Sequence, residues 1–145
     1  MKKYYLLGTF AAFTVVFNLG YIFHDLIFGQ WFHERLGAVS REHYNIPVIA
    51  VAFIIYSAIQ AYLFPIFFLH ASKAYQWSLA KSAIVYGGLI GFLWDGLQGG
   101  IIEFATLNIP LDTTLFDSAY HVLEGCLTAL IISFFYKKYG MGNVS

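Results

Sequence analysis

The chain has 145 residues, 59% of them hydrophobic and 11% charged, with eight basic and eight acidic side chains and no net charge. A soluble domain carries about 25% charged residues, so this composition excludes a water-soluble globule, a disordered chain and a coiled coil. No basic tract favours nucleic acid, and the single cysteine, Cys126, cannot close an intrachain disulfide.

The first predicted span covers residues 4–28. Lys2 and Lys3 ahead of an apolar run look like the start of a signal peptide. The run is too long for one and no small-x-small site follows, so it reads as a retained helix. Residues 29–45 form a first outer loop. Trp31, Phe32, Leu36 and Val39 would share a face if it were helical, giving a short interfacial helix; a solvated loop anchored by Trp31 is the alternative. The second span, residues 46–69, has Pro47 in its first turn, where proline is tolerated, and Pro65 near its far end, where it should kink or fray the helix. The third, residues 82–103, is interrupted by Asp95 and carries Gly87, Gly91, Gly96 and Gly100 in pairs spaced by four. Small residues at that spacing let helices approach closely, within the bundle or at a homodimer face. The fourth, residues 113–136, carries Asp117, His121 and Glu124. Each segment is long enough to cross about 30 Å of hydrocarbon at about 1.5 Å per residue. The expected fold is all-α: one integral membrane domain, a bundle of four antiparallel transmembrane helices.

Basic residues orient it. Lys2, Lys3, Lys73, Lys81, Lys137 and Lys138 flank one side, and Arg35 and Arg41 the other. The excess predicts a multi-pass protein of the cell membrane with both termini cytoplasmic. Tyr4, Tyr5, Trp77, Tyr136 and Tyr139 then mark the inner interface, and Trp31 and Tyr44 the outer one.

Polar groups are costly inside a membrane, so their placement is informative. On span four, Thr113, Thr114, Asp117, Tyr120, His121, Glu124 and Thr128 recur at three and four and share one face. On span three, Asp95 and Gln98 share a face with Gly88, Gly91 and Gly99. On span one, Thr14, Asn18, Tyr21 and Asp25 do the same, with His24 off that stripe. These faces are expected to meet inside the bundle. By depth, Asp25 and Asp117 lie near the outer end, His121 and Gln98 deeper, and Asp95 and Glu124 toward the middle. The inner half is nearly dry apart from Gln60, so the pattern predicts a pocket opened to the outside. No lysine or arginine lies within the spans to neutralise the acids. They are protonated and hydrogen-bonded, paired with His121 or His24, or hold a cation.

Ligand-compatible spacing makes Asp117, His121 and Glu124 candidate metal ligands, with Asp25, His24 or Asp95 to complete the set. His24 and His121 are also conceivable axial ligands of a haem. There is no HExxH pair, cysteine cluster or nucleophile motif, so no cofactor is assigned and the enzyme question stays open. The expected function is that of a small integral membrane binding or accessory protein with an outward-facing acidic/His pocket. The alternatives are a proton- or cation-coupled transporter acting as an oligomer, and a membrane-embedded enzyme acting on a lipid-soluble substrate. Expected partners are the lipid bilayer and a homo-oligomer or larger membrane complex.

Two stretches, FGQWFHERLG at residues 28–37 and TLNIPLDTTLFDSAYHVLEG at residues 106–125, carry a resemblance. With four short-looped spans, they resemble an uncharacterised bacterial family of small four-span integral membrane proteins, a DUF1761-like domain of unknown function. That family shows an FG-x-x-W-like turn after span one and a Leu/Ile-Asp-x-x-Tyr-His pattern in span four, matched here by Asp117, Tyr120 and His121. The resemblance implies the four-span topology and draws attention to those three residues. It implies no substrate, because the family has none assigned.

Overall fold

The computed structural model describes residues 2–37 and 45–141, without the side chains at 2, 95, 98–101 and 103. Helix α1 spans Lys2–Tyr21 and continues as a π-helical segment, Ile22–Ile27. Its buried line is Tyr4, Gly8, Ala12 and Val16, one residue in every four. These mostly small side chains let α1 lie against α3 and α6. Helix α2, Gly29–Leu36, is the short helix that the aromatic spacing of the outer loop allowed; Val39 lies outside the described residues.

Helix α3 spans Ile46–Tyr75. Asn45 caps it by accepting from the Val48 N–H at 3.4 Å. The expected kink or fraying at Pro65 does not end the helix, which runs ten residues further. Proline lacks the N–H that would bond the carbonyl four residues back, here that of Ala61. The Tyr4 hydroxyl, reaching over from α1, donates to that carbonyl instead. The orphaned acceptor is thus satisfied from a neighbouring helix. The helix stops at Gln76, whose φ of 54° is left-handed and whose N–H bonds Ser72 O at 3.0 Å. Ser78 then caps α4 by accepting from Lys81 N at 3.2 Å.

Helix α4 is Leu79–Gly91, followed by a π-helical segment, Phe92–Ile102, and a single turn, α5, Glu103–Thr106. Helix α6 is Leu111–Tyr139, entered through Pro110. Three helices are long and apolar enough to cross a membrane by length and composition, at Lys3–Ile27, Ile46–Tyr75 and Leu111–Tyr139. The third of the four expected spans is helical but is not among these three. Its α-helical part has only 13 residues, about 20 Å at about 1.5 Å each. The remainder, Phe92–Ile102, is wound as a π-helix and holds Gly96, Gly99 and Gly100.

Three glycines, Gly87 and Gly91 of α4 and Gly125 of α6, lie where α4 packs against α6. A Cβ on Gly87 would overlap the Gly125 carbonyl, and one on Gly91 the His121 carbonyl. Backbone meets backbone there, the close approach expected of the repeated glycines. Gly96 is different: its nearest neighbours are the Phe92 ring and the Ser118 Cβ. Toward the chain termini the core is aromatic. Tyr4, Phe64, Phe68, Tyr86 and Tyr136 are all buried, with Tyr4 and Tyr136 edge to face at 5.1 Å. The outside is apolar: Leu6, Phe10, Ile55, Ile66, Leu115 and Phe134 are each more than half exposed.

Candidate functional site

A regular helix puts residues three and four apart on one face, and α6 does so with Asp117, Tyr120, His121 and Glu124. Glu124 is buried at 3% exposure. The Tyr120 hydroxyl donates to its Oε1 at 2.7 Å, and the His121 Nδ1 lies 3.0 Å from its Oε2. Both carboxylate oxygens are therefore engaged. With Nδ1–H donating to Glu124, the other ring nitrogen of His121 carries the lone pair. That atom, Nε2, faces the Asp117 Oδ1 at 3.7 Å.

The π-helical turn of α1 brings His24 to the opposite side. Its Nε2 lies 3.5 Å from the same Asp117 oxygen, and its ring stacks on that of His121 with centroids 5.9 Å apart and planes at 28°. The donor atoms of His24, Asp117 and His121 all lie within 4.8 Å of one another. Phe23 lies flat on Tyr120 at 3.9 Å and fixes that ring. Helix α2 packs against the cluster: buried Phe32 lies 4.7 Å from His24, and Arg35 spans from the Trp31 ring, at 4.3 Å, to Asp112 at 3.3 Å. A mostly apolar cavity of about 540 Å³ opens beside His24 and Asp25, between Phe17, Phe32, Ile49 and Phe53. Another, of about 350 Å³, reaches Glu124 and Tyr120 from the far side.

Of the expected site residues, the structure joins Asp117, Tyr120, His121 and Glu124. Asp25 sits next to the cluster, exposed and lining the larger cavity. Asn18 is not part of it; this side chain is exposed and donates to Thr14 O at 2.7 Å on its own helix. Asp95 and Gln98 fall in the π-helical segment, and their side chains lie outside the described residues. The polar stripe of α1 thus faces outward and His24 inward, the reverse of the expectation. The signal for His24 was present: continuing the buried line from Tyr4 to Val16 by fours gives Gly20 and then His24. The expected metal set also changes. Glu124 bonds the ring nitrogen of His121 that points away from Asp117, so His24 takes its place beside Asp117 and His121. A haem between the two histidines is not accommodated, since the Asp117 carboxylate stands against both Nε2 atoms.

Away from the cluster, Ser57, Gln60 and Ser82 are fully buried. Their side-chain polar atoms have no hydrogen-bond partner among the described residues. Comparisons with protein-family models, curated proteins and solved structures find no match for the chain.

Proposed function

We propose that the chain is a four-span integral membrane protein, both termini cytoplasmic, that binds a small ligand at the His24–Asp117–His121–Glu124 cluster in the outer half of its bundle. The apolar outer surface and three long helices support the membrane reading. For the fourth span, α4 and the π-helical segment after it together give a mostly apolar helical stretch, Ser82–Ile102, in which Asp95 is the one charged residue. The lysines at residues 73, 81, 137 and 138 flank one end and Arg35 the other, which supports the orientation. The observation that carries binding is the convergence of two imidazoles and a carboxylate from two helices, beside a cavity of about 540 Å³. Pockets of this kind, largely apolar with a few converging polar groups, are where ligands bind.

Topology is tested with single cysteines. With Cys126→Ala as background, Gln30→Cys should react with a membrane-impermeant thiol reagent in intact cells and Gln76→Cys only after permeabilisation. The opposite pattern would invert the orientation and move the cluster to the cytoplasmic half. Binding is tested by native mass spectrometry in mild detergent. The wild-type chain should carry an adduct that His24→Ala loses while melting like the ligand-free wild type. A bare wild-type mass would overturn the reading.

A further inference from the structure

We propose that His24, Asp117 and His121 bind one divalent first-row transition-metal ion, with Glu124 and Tyr120 positioning the ligands. This deepens the reading of the cluster as a ligand site and rests on it. The first argument is distance. The Asp117 Oδ1 lies 3.5 Å from His24 Nε2 and 3.7 Å from His121 Nε2. Both exceed the usual N–H···O range of about 2.7–3.2 Å. They approach the edge of a coordination tetrahedron, about 3.3–3.5 Å for metal–ligand bonds of about 2.0–2.2 Å. The three atoms already sit within 4.8 Å of one another. A small swing of His24, at 28% side-chain exposure, closes the remaining edge.

The second argument is the support behind the ligand. A metal-bound histidine almost always donates its other N–H to a carboxylate or carbonyl, which fixes the ring and raises its basicity. Glu124 does this for His121 at 3.0 Å. Tyr120 occupies the second carboxylate oxygen at 2.7 Å, so Glu124 itself is held in place. The third argument is charge. Residues 4–28 and 113–136 contain no lysine or arginine. A dication held by neutral histidines would add favourable charge beside Asp117 and Glu124, an attraction strengthened in a low-dielectric setting.

The donor set names the class of ion. Two imidazoles and one carboxylate suit zinc and ferrous iron, while calcium and magnesium take all-oxygen sites. Three protein ligands leave coordination positions open, and His24 also lines the larger cavity. A molecule entering that cavity would reach the ion.

The test uses the full-length chain in detergent, stripped with a chelator and titrated anaerobically with Zn²⁺, Fe²⁺ and Co²⁺ in separate arms. Saturable uptake of one equivalent of at least one ion, a raised melting temperature and visible Co²⁺ bands of a low-coordinate site are expected. Zinc should bind more tightly than iron whichever ion is resident, so the ion that co-purifies with the unstripped chain identifies it. His24→Ala and Asp117→Asn should each abolish that uptake while melting like the stripped wild type. Glu124→Gln should keep the stoichiometry and lower the affinity about 10- to 100-fold, the usual cost of losing a supporting partner. Absence of one-to-one uptake, unchanged uptake by both His24→Ala and Asp117→Asn, or equal binding of Ca²⁺ would overturn the metal assignment. An organic adduct dependent on His24, in a chain that takes up no metal, would defeat this inference alone. Loss of every adduct would defeat the binding reading as well.

Discussion

Alanine at Gly125 should destabilise the bundle by roughly 2–3 kcal/mol, the upper part of the range for overpacking. The added Cβ would overlap the Gly87 carbonyl and stand 3.0 Å from the Gly91 Cα and 3.1 Å from the Gly91 N. All three obstacles are backbone atoms, so no rotamer change relieves the clash and α4 must move away from α6. The matched control is Gly8→Ala. There the new Cβ meets Tyr4 Cε2 at 3.5 Å and Ala61 Cβ at 3.9 Å, ordinary van der Waals contacts. Alanine's better helix propensity, worth up to about 1 kcal/mol, should leave Gly8→Ala neutral or stabilised. Thermal melts in one detergent decide it. Equal costs at Gly8 and Gly125 would remove the argument that α4 and α6 are held by backbone contact. Because His121 and Glu124 lie within one turn of Gly125, the same shift should loosen the cluster, and Gly125→Ala should also release bound ligand.

What the sequence made legible follows from how regular each helix is. On α6 the spacing of Asp117, Tyr120, His121 and Glu124 needs only an ordinary helix to place them together, and they are together. On α1 the same reasoning fails for two physical reasons. Thr14 and Asn18 do not need the bundle interior, because each satisfies a polar group on its own backbone, Thr14 on Phe10 O at 2.9 Å and Asn18 on Thr14 O at 2.7 Å. A polar stripe that bonds its own helix can face outward. The inward face is marked instead by the buried line Tyr4, Gly8, Ala12 and Val16, which continued by fours reaches His24 in the π-helical segment Ile22–Ile27. That line is mostly small and apolar, so a search for polar stripes passes over it and leaves His24 off the expected face. On the third span hydropathy reads one mostly apolar run, while the backbone beyond Gly91 is wound as a π-helix, which composition does not register. Pro65 shows a further limit. Its effect depends on what packs beside Ala61, and the Tyr4 hydroxyl comes from a residue far away in the chain.

That contact gives the last prediction. Tyr4→Phe should cost roughly 1–2 kcal/mol, because it leaves the buried Ala61 carbonyl without the hydroxyl that satisfies it, and an orphaned buried acceptor costs about 1–3 kcal/mol. Little else changes, since phenylalanine keeps the ring and its edge-to-face contact with Tyr136 at 5.1 Å. The cause is then isolated with Pro65→Ala. Alanine restores an N–H at position 65, and α3 can close its own bond to Ala61 O, as an uninterrupted helix does. In that background the Tyr4 hydroxyl loses its special role, so Tyr4→Phe should become nearly neutral. The double-mutant cycle should therefore show coupling of about 1 kcal/mol or more between two residues that do not bond each other directly, carried by the one carbonyl they compete to satisfy. Melts of the four proteins in the same detergent measure it. Strict additivity would mean that Tyr4 and Pro65 act independently, and that α3 passes through its proline for some reason other than the hydrogen bond from α1.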